Sequence, residues 1–402
     1  MSSPSAVLVV GAGLGGLGTV EQLRRSGYTG RLTLVGEEPD WPYDRPPLSK
    51  AALQAGTPAP LLRAVKDYPE LDLDLRLGRS AVALDTEACT VRLDDDTVLD
   101  YDALVLAPGA APRRLPGPAL AGVHVLRTQD DAAALRADVV RHGALAIVGG
   151  GFIGCEVAAS ARRLGAEVDL VELLAGPLVR VVGPAVAGRV AQLHLDHGVR
   201  LHGGVGVRAL HGDDGEGGKG DGDGGGGGSV VAVELGDGQV LPTRVVLVGL
   251  GVVPATGWLG DSLTLAADLG ICCDETGLAA PGVWAVGDAA VWGTARRVEH
   301  WTSAVEQAAA VAQSVLGRPT ADTSVPYVWS DQYDSTLQCV GEVGPDTERE
   351  VLEVGAGLAA LHLDGDRFVG AALLDLRKQA GRVRRVLAAD GSAADARAAL
   401  LR

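Results

Sequence analysis

A strand, a glycine-rich turn and a helix occur twice in this chain, and that repeat leaves few folds open. The first copy starts with Ala6–Val10 (AVLVV), an apolar run of the kind that forms a buried parallel strand. GAGLGG follows and places Gly11, Gly13 and Gly16 in a G-x-G-x-x-G pattern. A helix is expected over 17–26, then a strand at Leu32–Val35 that ends in Gly36-Glu37-Glu38. In the second copy a strand at Leu145–Val148 leads into GGGFIG with Gly149, Gly151 and Gly154, its glycine turn 138 positions after the first. Its helix is expected over 155–164 and its next strand, Val168–Val171, ends in Glu172. The first glycine makes the tight turn, the second lets backbone approach a pyrophosphate, and the third lets helix pack on strand. The helix N-terminus then offers unpaired N–H groups to the phosphates. The acid after the second strand holds ribose hydroxyls: Glu37 in the first copy, with Glu38 as second choice, and Glu172 in the second. One such motif is a weak signal. Two, each with its strand, helix and acid, are specific.

Two cradles imply two dinucleotides, and a flavin with a nicotinamide is the natural pair, because a hydride passes between them. A carboxylate at Glu172 suits a free 2′-hydroxyl and repels a 2′-phosphate, which favours NADH over NADPH. Arg180, nearby in sequence, pulls the other way. Two further strand ends belong to the flavin side. YDALVLAPGA (101–110) ends in a turn that includes Ala107 and Gly109, and PGVWAVGDAA (281–290) ends in Gly287-Asp288. Asp288, read as opening a helix at a strand end, either accepts from a ribityl or ribose hydroxyl or caps that helix. Next come Glu299, His300 and Trp301, then a long Ala-rich amphipathic helix.

Composition narrows the partners. The formal net charge is −16, which argues against nucleic acid or an anionic membrane surface. No apolar run reaches the ~18–20 residues of a membrane span. Met1-Ser2-Ser3-Pro4-Ser5 has no basic n-region, so no signal peptide and a cytoplasmic location are expected. The five cysteines (Cys89, Cys155, Cys272, Cys273 and Cys339) form no C-x-x-C or C-x-x-x-x-C pair, fit a reducing compartment and read as structural. No metal site is expected. Residues 211–229, rich in Gly and Asp, cannot bury a core and are expected to be a disordered loop between paired strands at 205–210 and 230–235.

PYDRPPLSK (42–50) packs three prolines and two cations into nine residues soon after the first ribose strand. Together with GAGLGG, LVLAPGA, VGGGFIGCEVAA, RVVGPAV, VGLGVVP, VWAVGDAA, VEHWTSA and PYVWSDQYD, it makes nearly the whole chain resemble the FAD-dependent NAD(P)H:ferredoxin reductases. These include the putidaredoxin, rubredoxin and biphenyl-dioxygenase ferredoxin reductases, with apoptosis-inducing factor a more distant relative. The resemblance implies an α/β chain with two Rossmann-like domains in a glutathione-reductase-like arrangement and a small α+β C-terminal domain. It implies that Arg45 contacts the FAD phosphates, and that Lys50 sits near flavin N5 paired with Glu156. It places Trp301 where the nicotinamide stacks on the flavin and Trp329 against the flavin. The full FAD set is then Gly11, Gly13, Gly16, Glu37, Arg45, Lys50, Ala107, Gly109, Asp288, His300, Trp301 and Trp329. The NAD set is Gly149, Gly151, Ile153, Gly154, Glu156, Glu172, Arg180 and Gly251. Lys50, Glu156 and Trp301 are the catalytic candidates. Pro108 and Ala255 depart from common family residues, a Thr and an Asn, and Cys155 stands where an apolar residue is usual.

The expected domains are 1–116 with 249–320 for FAD, 117–248 for NAD, and 321–402 as the C-terminal domain. Residues 360–402 carry eight Lys and Arg against five Asp and Glu, densest at Arg377, Lys378, Arg382, Arg384 and Arg385. That cluster is either a docking face for an acidic [2Fe–2S] ferredoxin or a solvated helix face. The expected activity is hydride uptake from NADH and single-electron delivery to such a ferredoxin, which serves an oxygenase or cytochrome P450, from a monomer or homodimer. A disulfide reductase or thiol-dependent NADH oxidase lacks its cysteine here, since Pro47-Leu48-Ser49-Lys50 holds no thiol. A flavoenzyme reducing a small molecule and an NADH-gated interaction protein remain as alternatives.

Overall fold

The computed structural model describes residues 4–117, 119–213, 228–293, 297–321 and 324–401. Most of the loop expected to be disordered, 214–227, lies outside them. The chain forms two compact units. One comprises Met1–Asp44, Pro60–Ala111 and Val252–Pro326; the other comprises Arg45–Ala59, Pro112–Gly251 and Tyr327–Arg402.

In the first unit, five parallel strands lie in the order Val283–Ala285, Ala103–Leu106, Ala6–Val10, Arg31–Gly36, Leu73–Leu77, with Leu278–Ala280 added antiparallel at the edge. AVLVV and ALVL are apolar at every position because helices and loops bury both faces of the sheet. The helix Leu14–Arg25 packs on the sheet and against the helix Trp301–Val315. Gly18 faces Ala308 across this contact, where a Cβ on Gly18 would lie 3.4 Å from the alanine methyl, an ordinary van der Waals distance. Arg24 and Arg25 occupy the last turn, where the helix dipole favours cations.

In the second unit, Arg200–Gly203, Glu167–Glu172, Ala144–Val148, Val246–Val248 and Val123–His124 form an all-parallel sheet in that order. The strands Val207–Gly212 and Val230–Leu235 pair antiparallel, as expected for the segments flanking the glycine-rich loop. The C-terminal module is a five-stranded antiparallel sheet, Tyr327–Gln332, Ser335–Gly341, Arg367–Leu374, Gly357–Asp364, Glu348–Val354, followed by helices Arg377–Ala388 and Ala393–Leu401. This sheet shares a core with the helix Pro184–Asp196. Val182, Val186 and Val190 are fully buried and pack with Leu337, Leu358, Ala360, Ala372 and Leu374. Arg45–Ala59, read from the sequence with the first half, packs within this second unit.

Two local readings need correction. Both cradle helices start three residues earlier than the sequence pattern suggested, at Leu14 and Phe152. Gly13 and Gly151 are the extended N-cap residues, so the third glycine of each motif lies inside the first turns of the helix. Asp288 opens no long helix. It sits in the 3-10 turn Gly287–Ala289, which leads into the strand Ala290–Trp292 and has no side-chain cap. Among the described residues, no helix is long and apolar enough to cross a membrane.

The shared core makes the C-terminal sheet integral to its unit. Leu337→Ala should cost about 3 kcal/mol, read from chemical unfolding. A fragment ending at residue 326 should aggregate, because the Val182–Val186–Val190 face loses its cover; a soluble, folded fragment by light scattering and circular dichroism would contradict the shared core.

Candidate active site

Each cradle is built by the same two contacts. Gly11 N–H donates to Val35 O at 2.8 Å, and Gly149 N–H donates to Val171 O at 2.9 Å, so each turn hangs on the neighbouring strand. Gly11 and Gly149 have φ of +108° and +107°, which only glycine adopts without strain. The third glycine lets the helix sit on the first: a Cβ on Gly16 would lie 1.8 Å from Gly11 O, and one on Gly154 would lie 2.0 Å from Gly149 O. The middle glycines behave differently. A Cβ on Gly13 or on Gly151 would meet nothing within 4 Å. Among the described residues no protein contact requires glycine there, whereas a close-approaching pyrophosphate would, and the helix N-termini behind would offer it donors. Both cradles therefore fit a dinucleotide.

The first cradle is flanked by Ala107, whose carbonyl lies where a Cβ on Gly11 would fall, 1.9 Å away, and by the Gly109 turn. Gly109 has φ +68° and its carbonyl accepts from Ala255 N–H at 3.0 Å. Glu37 is exposed at its strand end, while Glu38 accepts from the Tyr43 hydroxyl. Arg297 pins the Asp288 turn: it donates to Asp288 O and Asp268, each at 2.7 Å, and pairs with Glu299 at 2.6 Å. His300 is the N-cap residue of the helix that begins at Trp301. Its Nδ1 is buried without a protein partner among the described residues, and burial pushes its pKa down to about 4. A neutral ring nitrogen left for a ligand fits a flavin site. Trp301 is 37% exposed and is anchored by Nε1–H donation to Asp44 Oδ1 at 2.9 Å.

The second cradle is closed by Glu172. Its carboxylate accepts from Gly150 N–H at 2.7 Å and Leu174 N–H at 2.9 Å. A carboxylate has about four acceptor sites, so capacity for ribose hydroxyls remains. Ile153 is exposed on the first turn of the helix, Gly251 has φ +82° beside the cradle's last strand, and Arg180 is exposed on the short helix Val179–Val182.

Glu156, on the helix Phe152–Arg163, is 5% exposed. Lys50 Nζ donates to its Oε2 at 2.6 Å. Ser49 Oγ donates to the same oxygen at 2.5 Å, and Ser330 Oγ donates to Oε1 at 2.7 Å. The prolines explain why Lys50 is so placed. Pro46 and Pro47 open the 3-10 helix Pro46–Ser49, where their missing N–H groups are no loss and their φ is preset. Ser160 Oγ clamps the turn by donating to Ser49 O at 2.6 Å. Arg45, at the head of this segment, donates to Arg127 O at 2.6 Å.

Trp329 stacks with Tyr327, ring centroids 5.9 Å apart, and Arg384 stands 5.9 Å over the Tyr327 ring. The basic cluster is not uniform. Arg377 pairs with Asp331 at 3.0 Å and donates to Thr336 at 2.7 Å, and Arg382 is half-buried, whereas Lys378 and Arg385 are exposed. Burial pushes the thiols of Cys273 and Cys339 up to about 12 and that of Cys155 up as well, so these thiols are inert. Sequence reasoning missed Ser49, Ser330, Asp44 and Arg297. The first three lie inside its own motifs, and a polar residue amid buried neighbours was the available signal.

Comparison with known proteins decides the family. Residues 5–308 match the pyridine nucleotide-disulphide oxidoreductase family, and residues 327–400 match the reductase C-terminal family. The chain belongs to the pyridine nucleotide-disulphide oxidoreductase family. As a member it is an oxidoreductase that uses FAD and NAD(H). It is 34% identical over 398 residues to rhodocoxin reductase of Rhodococcus erythropolis, covering 96% of this chain and 90% of that one. The ferredoxin reductase for the CYP199A2 system of Rhodopseudomonas palustris is 32% identical with a TM-score of 0.89, covering 98% and 97%. The putidaredoxin reductase seen in a covalent complex with putidaredoxin is 30% identical with a TM-score of 0.87, covering 96% and 93%.

The glycine geometry makes a paired prediction for this oxidoreductase. Gly13→Ala should leave apoprotein stability within ~0.5 kcal/mol yet lower FAD retention, measured as bound flavin absorbance per chain after gel filtration. Gly16→Ala should destabilise the fold itself, because its Cβ meets a backbone carbonyl.

Proposed function

We propose that this chain is a cytoplasmic NADH:ferredoxin oxidoreductase serving an oxygenase or cytochrome P450. The functional division is 1–116 with 249–320 for FAD, 117–248 for NAD and 321–402 toward the acceptor. The observation that carries the reading is full-length similarity, C-terminal module included, to proteins named as reductases of ferredoxin-type partners.

FAD, which the first glycine-rich cradle would hold, would supply a two-electron acceptor for the hydride of NADH and a one-electron donor to the partner. The chain's own residues position and bias that exchange. Lys50 would supply a positive charge that stabilises negative charge on a bound flavin. Glu156 balances the ammonium and orients it, and Ser49 and Ser330 hold the carboxylate in place. Trp301, fixed through Asp44, shares the nicotinamide's stacking position. Asp288 and Glu37 would hold flavin-side hydroxyls, and His300 Nδ1 would accept from the bound flavin. Glu172 binds the NADH ribose and repels a 2′-phosphate, which outweighs exposed Arg180. No side chain forms a covalent intermediate; positioning carries much of the rate.

The acceptor is a [2Fe–2S] ferredoxin drawn to the face bearing Arg377, Lys378, Arg384 and Arg385. Lys378 and Arg385 dominate the steering, because Arg377 is paired with Asp331 and Arg384 is stacked on Tyr327.

Two measurements test this. NADH-driven reduction of an acidic [2Fe–2S] ferredoxin should proceed catalytically and fall about tenfold at low salt when Lys378 and Arg385 are both changed to Glu, with the difference fading at high salt. Catalytic turnover with quinones but with no ferredoxin would shift the reading to a small-molecule reductase. NADH should exceed NADPH in kcat/KM, and Glu172→Ala should narrow the ratio; equal use of both by the wild type would overturn the role of Glu172.

A further inference from the structure

The hydrogen bonding around Glu156 continues well beyond Ser330. Ser330 Oγ accepts from Gln332 Nε2 at 3.1 Å. Gln332 Oε1 lies 3.1 Å from His194 Nε2, and His194 Nδ1 lies 3.1 Å from the Tyr333 hydroxyl. The Tyr333 ring stacks on His197 at the surface, centroids 3.6 Å apart. Glu156, Ser330, Gln332 and His194 are all buried, and they come from two helices and one strand of the second unit.

One fact sets the direction of every bond. A carboxylate accepts and does not donate. Ser330 gives its only hydroxyl proton to Glu156, so it must accept from the Gln332 amide. That turns Gln332 Oε1 toward His194, which must carry its proton on Nε2 and accept from Tyr333 at Nδ1. Four side chains therefore line up with their donors aimed at one carboxylate. Burial keeps His194 neutral, its pKa pushed down to about 4, and pushes the Tyr333 hydroxyl up, so neither ionises near neutral pH and breaks the order. Stability alone does not call for such a chain, since buried polar groups cost free energy unless each is satisfied.

We propose that His194, acting through Gln332 and Ser330, is a positioning residue for Glu156 that locks the carboxylate's rotamer and thereby the place of the Lys50 ammonium. This rests on the assignment of Lys50 and Glu156 to the flavin–nicotinamide reaction. Removing a link frees Ser330 to turn away, loosens Glu156 and leaves the Lys50 charge less balanced.

The test uses FAD-loaded protein with NADH and no ferredoxin. Flavin bleaching is followed by anaerobic stopped flow, and the flavin reduction potential by dye equilibration. His194→Phe and Ser330→Ala should each slow bleaching about tenfold and raise the potential. The double variant should be no slower than the worse single, because both break one chain. His194→Gln, which still donates to Gln332, should restore most of the rate. If His194→Phe does not fold, Gln332→Met breaks the next link and takes its place. Unchanged rate and potential, losses that multiply, or no rescue by His194→Gln would each overturn the proposal. A protein that bleaches as described but reduces no ferredoxin would count against the proposed acceptor and leave this chain standing.

Discussion

A buried carboxylate must be given partners, and Glu156 obliges three distant parts of the chain to meet. Lys50 and Ser49 lie more than a hundred residues before it and Ser330 lies 174 residues after it, yet all three donate to its two oxygens. Breaking a buried ion pair on one side costs about 3–5 kcal/mol, so the segment carrying Lys50 is held to the second unit by more than its apolar contacts. This accounts for the position of Arg45–Ala59 in the fold. It also accounts for the C-terminal sheet sharing a core with the helix Pro184–Asp196: the strand that brings Ser330 must be rigidly backed.

The cradles show a different economy. In each, backbone carbonyls rather than side chains demand the first and third glycines, and the middle glycine faces open space. Fold and ligand thus draw on separate glycines of one short motif. The same strand-to-turn hydrogen bond recurs in both copies, so the repeat seen in the sequence is a repeat of physical contacts.

The parallel strands, both glycine turns and the acids that follow them were legible because their signals are local: apolar runs, glycine spacing and a charge at a strand end. The helix starts fell three residues late because each helix was begun only after its glycine motif, whereas the third glycine's missing Cβ lets the helix run through the motif against Gly11 O or Gly149 O. Asp288 was misplaced because a 3-10 turn leading into a strand and a helix start share the same opening residues. Ser49, Ser330 and Asp44 escaped notice for another reason. Their partners lie far away in sequence, and no periodicity encodes a hydrogen bond across such a gap. The basic cluster was visible as composition, but the neutralising Asp331 stands 46 residues before Arg377 and shows itself only in the folded chain.

In the proposed mechanism Glu156 organises the reacting pair. The most direct measurement is the rate at which NADH bleaches the flavin, under anaerobic stopped flow, in wild type and Glu156→Gln proteins matched for FAD content. The predicted result is a fall of about a hundredfold with flavin binding intact. Equal rates at equal flavin content would mean that the carboxylate, and the side chains gathered around it, serve the fold alone.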